Sequence, residues 1–82
     1  MITAAQAKEK TKERITQIAK EFITNDIERA VDEAIGFGQF SCIVKHNHDI
    51  PFQAAIAELL EKEGFTVITE EGYYDIDWEK CR

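Results

Sequence analysis

The sequence predicts an α+β fold in which one long N-terminal helix precedes a β-α-β-β unit. Apolar residues recur at helical spacing up to residue 35 and again across residues 50–63. Two short β-prone runs are separated only by Glu71-Gly72, which predicts a hairpin. The chain has 82 residues, so we expect a single domain with a thin hydrophobic core.

The first helix is predicted over residues 4–35. Thr3 and Gln6 have the spacing of a capping box, in which each side chain accepts a hydrogen bond from the other residue's backbone amide. Gly36 is expected to provide the left-handed C-cap, with Phe37 packing back on the helix. The apolar positions that define the helix are Ile15, Ile18, Ala19, Phe22, Ile23, Ile27, Ala30, Val31, Ala34 and Ile35.

The apolar stripe of this helix changes direction near Asn25. At about 100° per residue, the cluster around Ile15 and Phe22 is turned by roughly a third of a circle from the cluster around Ile27 and Ala30. Either a second helix begins with Asn25 as its N-cap, or one helix continues and its surface meets different partners. Because no Gly or Pro lies between residues 3 and 35, we favour one helix, bent near Asn25.

A strand is predicted over residues 39–45, where the alternation of side chains assigns the two faces of a sheet. One face receives Phe40, Cys42 and Val44, and the other receives Ser41, Ile43 and Lys45. A polar connection follows and leads into the second helix.

The second helix is predicted over residues 50–63. Asp49 is a good N-cap residue, and Pro51 lies in the first turn, where its missing amide costs nothing. Gly64 ends the helix, and Phe65 is placed for the hydrophobic contact of a Schellman cap.

The last two strands are predicted over residues 65–70 and 73–78, joined as a two-residue hairpin. This register puts the apolar side chains of both strands on one face and pairs Thr69 with Tyr74, Val67 with Ile76 and Phe65 with Trp78. A helical crossover links the first and second strands, which should run parallel. We therefore expect a three-stranded mixed sheet with the helices on one face.

The charge of the chain is divided unevenly. The net charge is −6, but residues 1–20 carry a balance of +3 and the remainder carries −9. Nucleic-acid binding requires clustered Lys and Arg, so the body of the domain is not expected to bind nucleic acid. The sequence has neither a membrane span of roughly 20 apolar residues nor the apolar stretch of a secretory signal. Cys42 and Cys81 are too few for a disulfide framework, which indicates a reducing cytoplasm.

The best candidates for a metal site lie around the end of the first strand and carry thiolate, imidazole and carboxylate groups: Cys42, His46, His48 and Asp49. Their spacing is short of established zinc patterns, so the histidines are interpreted as polar loop residues and Asp49 as a helix cap. Cys42 and His46 would be roughly 13 Å apart along an extended strand, too far for nucleophilic catalysis. We expect no catalytic residue, no cofactor and no metal, and hence no enzymatic activity.

Two features of the sequence predict binding instead. The rotated apolar stripe of the first helix is more than one small sheet is expected to cover, which predicts a homo-oligomer through Ile15, Ile18, Phe22 and Ile23. The sheet face opposite the helices is predicted to expose a patch for a partner, formed by Ile43, Ile68 and Tyr73.

The sequence resembles small orphan proteins encoded by tailed bacteriophages. The resemblance lies in the start Met1-Ile2-Thr3-Ala4, the run Ala30-Val31-Asp32-Glu33-Ala34-Ile35-Gly36-Phe37-Gly38, the run Leu59-Leu60-Glu61-Lys62-Glu63-Gly64-Phe65-Thr66-Val67, and Ile76-Asp77-Trp78. It implies an accessory protein in the cytoplasm of the infected bacterium that binds and disables a host factor. The alternatives are a virion structural or assembly component, or an oligomeric sponge that sequesters a defence nucleotide with Lys or Arg of the basic helix. The resemblance carries no catalytic residues over.

Overall fold

A computed structural model describes residues 1–80, and the expectation about Cys81 lies outside them. The elements follow the expected order α-β-α-β-β, and the α+β class is confirmed. Helix α1 combines an α-helical part, Ala4–Phe22, a π-helical turn, Ile23–Ile27, and a second α-helical part, Glu28–Gly36. The remaining elements are β1 (Ser41–Lys45), α2 (Ile50–Lys62), β2 (Thr66–Glu70) and β3 (Tyr73–Asp77).

The start of α1 is the expected capping box. The side chain of Thr3 accepts a hydrogen bond from the amide of Gln6 at 3.1 Å, and the side chain of Gln6 accepts one from the amide of Thr3 at 2.9 Å. Two of the amides that a helix N-terminus leaves without partners are thereby satisfied.

The change of direction near Asn25 is resolved by the π-helical turn within one continuous helix. No side chain caps a new helix there. The turn accommodates one additional residue, which takes up about 100° of rotation. Ala19 and Ile27 are eight positions apart, yet both are buried because the turn brings them onto the same side. The expected bend thus corresponds to a local change of helix type.

The C-terminus of α1 corrects one expectation. Gly36 is still helical, and the residue with positive φ is Gly38, at +72°. The amide of Gly38 donates to the carbonyl of Ile35 at 3.0 Å, and the amide of Gln39 donates to that of Ala34 at 2.9 Å. These two bonds define a Schellman motif, which places Phe37 one residue before the left-handed position. Phe37 is 82% exposed and does not pack back on the helix.

Helix α2 ends as expected. Gly64 adopts a φ of +93°, and the amide of Phe65 donates to the carbonyl of Leu60 at 3.1 Å. At the other end, Pro51 lies in the first turn, and the side chain of Asp49 makes no capping bond although its backbone is extended. Asp49 therefore starts the helix through its backbone conformation.

The sheet has the strand order β1-β3-β2, and both neighbouring pairs are antiparallel. The sheet is therefore not mixed. Strands β1 and β2 point in the same direction, as expected, but they are not neighbours. Strand β3 lies between them, because one edge of β3 pairs with β2 in the hairpin and its other edge pairs with β1. The predicted hairpin register is confirmed for Val67 with Ile76 and for Thr69 with Tyr74.

Both helices lie on one face of the sheet and enclose a small core. The buried side chains are Ala19, Ile27, Ala34, Val44, Ile56, Leu60, Tyr74 and Ile76. Phe65 and Trp78, expected to pack across the hairpin, meet edge to face with ring centroids 6.0 Å apart at the border of this core.

Candidate functional site

The sheet face opposite the helices is open and forms a three-by-three grid of side chains. Its rows, read from β1 through β3 to β2, are Ser41-Asp77-Thr66, Ile43-Asp75-Ile68 and Lys45-Tyr73-Glu70. The predicted patch residues therefore share one face: Ile43 is 63% exposed, Ile68 is 52% exposed and Tyr73 is 36% exposed. The structure brings all three together as the sequence predicts.

Carboxylates lie among these apolar side chains. Asp75 is directly between Ile43 and Ile68, and Asp77 lies next to it along β3 on the same face. Within residues 1–80, the ion pair that the structure shows is Glu58 with Lys62 on α2, so these carboxylates are not neutralised by a salt bridge there. The face thus offers apolar contact beside carboxylates without salt bridges, and it also carries Lys45 and is bordered by Lys80.

A second feature is a cluster of aromatic and imidazole rings where β1 leads into α2. The ring of His46 stacks on Tyr74 with centroids 3.9 Å apart, and the rings of His46 and His48 are nearly parallel at 5.5 Å. Phe22 of α1 meets His48 edge to face at 4.5 Å. The cluster joins α1, the β1–α2 connection and β3.

Hydrogen bonds hold the two imidazole rings of this cluster in place. The Nδ1 atom of His46 accepts from the amide of His48 at 3.2 Å, so the ring proton is on Nε2, which lies 3.3 Å from the carbonyl of Glu70. The Nδ1 atom of His48 lies 3.0 Å from the hydroxyl of Tyr74. Gln53 of α2 donates to the carbonyl of His48 at 2.6 Å. The connection is therefore fixed by bonds to three elements.

Burial shifts the pKa values of two groups of this cluster, His48 and Tyr74. It lowers the pKa of His48, the neighbouring His46 acts in the same direction, and the charge of Asp26 in the π-helical turn opposes them. Burial also raises the pKa of Tyr74 to about 12. A neutral imidazole beside a neutral phenol is the stable arrangement here.

The histidines therefore differ from their interpretation as solvated loop residues, because both are half-buried against Tyr74. The alternation of β1 contains the signal: Cys42 and Val44 point to the core, and His46 continues that period of two. In residues 1–80, no group of three or more His, Cys, Asp or Glu side chains is arranged to hold a metal ion. Burial and the charge of Asp75 raise the pKa of Cys42, which disfavours the reactive thiolate.

The residues predicted to form an oligomer interface are half-buried within the monomer: Ile15, Ile18, Phe22 and Ile23. Phe22 and Ile23 pack against the core. The π-helical turn also removes much of the rotation between the apolar residues before and after it, which was the reason to expect a stripe that the sheet does not cover. Self-association through these residues stays a prediction.

A groove between α1 and α2 is lined by apolar residues, among them Ile23, Val31 and Leu59. Its floor includes Leu60 of the core, so this groove is the seam along which the two helices pack on each other.

The structure also exposes apolar side chains that the sequence did not predict to be exposed. They are Ile35, Phe37 and Phe40 around the end of α1, and Ile50 at the start of α2. Phe40 was assigned to the core face, but it precedes the first residue of β1 and is 57% exposed.

Among residues 1–80, none of the helices combines the length and apolar character that a bilayer span needs. Comparison with protein-family models, curated proteins and solved structures finds no match to this chain.

Proposed function

We propose that this chain is a non-enzymatic accessory protein of phage type that binds a host protein in the bacterial cytoplasm through its open sheet face. The observation that carries the proposal is the row Ile43-Asp75-Ile68, in which two exposed isoleucines flank a carboxylate that forms no salt bridge within residues 1–80. The phage origin rests on the resemblance of the sequence alone.

The chemistry of the face specifies the chemistry of the partner. Ile43 and Ile68 favour an apolar contact, since removing their surface from water stabilises a complex by about 25 cal/mol per Å². Asp75 and Asp77 favour a cationic rim, because complementary charge accelerates association and suppresses wrong partners. The partner is therefore a protein surface that presents apolar side chains between Lys or Arg residues.

The same chemistry argues for binding over catalysis. Nucleophilic catalysis requires an activated nucleophile beside a base. Here, burial disfavours the thiolate of Cys42 and the phenolate of Tyr74, and the hydrogen bonds of His46 and His48 connect them to structural groups. These side chains stabilise the fold, and the open face remains for recognition.

Affinity capture from a bacterial lysate tests this proposal. The bait is the full chain, compared with the Ile43→Ser and Ile68→Ser variants and with Ile35→Ser as a matched control. Ile35 is also an exposed isoleucine, at 57%, but it lies on α1 away from the sheet face. We expect one captured protein to be lost with both sheet variants, retained with the control, and weakened as salt rises. Capture that is equal with all four baits would contradict the proposal.

Two further measurements distinguish the other two candidate functions. A virion component would be found by mass spectrometry of purified virus particles. A nucleotide sponge would release a nucleotide on denaturation, and its capture would depend on Lys and Arg of α1 instead of on Ile43.

A further inference from the structure

The outer edge of β2 is free to pair with another strand. The amide of Trp78 donates to the carbonyl of Phe40, the residue that lies opposite Trp78 when the β1–β3 register is extended by one residue. Antiparallel bonding alternates along a strand, so every second residue of β3 bonds to β1 and the residues between them, including Asp75, bond to β2.

This alternation determines which groups of β2 point outward. Ile68 is the partner of Asp75, so the amide and carbonyl of Ile68 face β3. The amides and carbonyls of Val67 and Thr69 face away from the sheet. In residues 1–80 the sheet contains three strands, and β2 lies at its margin.

The sequence of β2 lacks the features that protect an edge. Four consecutive residues are β-branched and uncharged, Thr66-Val67-Ile68-Thr69, and the segment contains neither Pro nor Lys. Its single charge is Glu70 at the end next to the turn. An exposed edge of this composition favours strand addition.

Helix α2, which packs on β2, presents a complementary apolar stripe. Ile50, Ala54 and Ala57 follow at i, i+4 and i+7 and so share one side of the helix, which ends at i+11 with the exposed Glu61. Ile50 is 78% exposed. Leu59, which lines the groove with α1, points to the opposite side, so the stripe faces away from α1.

We propose that two copies of this chain join through their β2 edges to form a continuous six-stranded antiparallel sheet. A two-fold axis perpendicular to the sheet through Ile68 keeps the helices of both copies on the same face, and their α2 helices then meet through Ile50, Ala54 and Ala57. Because α2 packs on β2 and its stripe faces away from α1, the stripe is expected on the side of the β2 edge. One symmetric contact therefore covers both.

The placement of charge along β2 favours a second copy in this register. In the two-fold register, Ile68 pairs with Ile68 of the other copy, Val67 with Thr69, and Thr66 with Glu70. The single charge of each β2 strand, Glu70, therefore lies opposite an uncharged threonine, and the two Glu70 side chains are at opposite ends of the strand pair.

Analytical ultracentrifugation of the full chain and two proline variants tests the proposal. Thr69→Pro removes an outward-pointing amide of β2 while leaving the bonds to β3. Ser41→Pro is the matched control, since the amide of Ser41 points outward from β1 by the same alternation. We expect the wild type to form a dimer at tens of micromolar, Thr69→Pro to be monomeric, and Ser41→Pro to dimerise like the wild type. A monomeric wild type, or dissociation by Ser41→Pro but not by Thr69→Pro, would overturn the proposal.

A helix variant keeps the proposal falsifiable if Thr69→Pro fails to fold. Ala54→Glu replaces an exposed helical residue and places like charges next to the two-fold axis, so dimerisation should weaken by about two- to fivefold. Ala5→Glu, at an exposed position of α1, should leave it unchanged. Unchanged dimerisation of Ala54→Glu would overturn the proposed contact. The dimer does not depend on the proposed function, because Ile43→Ser should lose the host protein and keep the dimer.

Discussion

The Nδ1 atom of His48 lies 3.0 Å from the hydroxyl of Tyr74, a residue with no exposed surface. Leaving a buried hydroxyl without a partner costs about 1–3 kcal/mol, so the position of His48 in the β1–α2 connection stabilises the burial of Tyr74. The same connection holds His46 against the ring of Tyr74. The conformation of this connection is therefore coupled to the hydrophobic core.

Acid is expected to destabilise the protein through His48. Its pKa is lowered in the folded state, so below the ordinary value of about 6.5 the unfolded chain binds more protons than the folded one. The stabilisation is fully present above that value and is lost as the pH falls through the lowered pKa. Melting temperatures measured between pH 7.5 and pH 5 should fall, and they should fall less in His48→Gln. An equal decrease in both proteins would assign the acid sensitivity to other groups.

Alkali is expected to destabilise the protein through Tyr74. Its pKa is raised to about 12 in the folded state, compared with about 10 in an unfolded chain. The stabilisation is complete below pH 10 and is lost as the pH rises toward 12, by about 1–3 kcal/mol in total. Chemical denaturation at pH 8 and pH 11 checks this, with Tyr74→Phe as the control. Tyr74→Phe should cost about 1 kcal/mol at pH 8 and show a smaller further loss at pH 11.

Trp78→Ala is expected to lower the free energy of unfolding by about 2–4 kcal/mol. This is less than a fully buried Trp would cost, because Trp78 is half-buried, but the edge-to-face contact with Phe65 is also lost. Trp78→Phe retains much of the apolar surface and should cost less. Urea denaturation measures both variants. An unchanged midpoint for Trp78→Ala would show that this contact does not stabilise the hairpin.

Two alanine substitutions at neighbouring glycines should have opposite effects. Gly36 is helical and its side-chain position is open, so Gly36→Ala should stabilise the protein by about 0.5–1 kcal/mol. Gly38 has a φ of +72°, so Gly38→Ala should destabilise it by about 1 kcal/mol although its position is also open. Thermal denaturation distinguishes the pair. Destabilisation by Gly36→Ala would indicate that Gly36 is the left-handed residue, as the sequence predicts.

Local patterns in the sequence predict most of this fold. The capping box at Thr3, the Gly64 cap and the hairpin register depend on residues close in the chain, and each is confirmed. The position of β3 between β1 and β2 is a long-range pairing that no local pattern specifies. The sequence predicts the left-handed cap at Gly36, but α1 continues through Gly36 and the left-handed residue is Gly38.

The candidate site was predicted in part. Alternation alone places Ile43, Ile68 and Tyr73 on one face, because the period of a strand is two. The enclosure of His46 and His48 depends on Phe22 of α1 and Tyr74 of β3, which are distant in the sequence. The period of two along β1 indicates that His46 points to the core side, but no local pattern shows that Phe22 and Tyr74 enclose His48.

The π-helical turn is also the place where α1 should tolerate the deletion of one residue. Removing Asn25 would convert Ile23–Ile27 into an ordinary helical turn while keeping Ala19 and the buried residues after the turn on the same side. Removing Asp32 would instead rotate Ala34 by about 100° relative to Ile27 and take it out of the core. Natural variation in the length of this helix should therefore concentrate in the π-helical turn and in the exposed turns before Ile15.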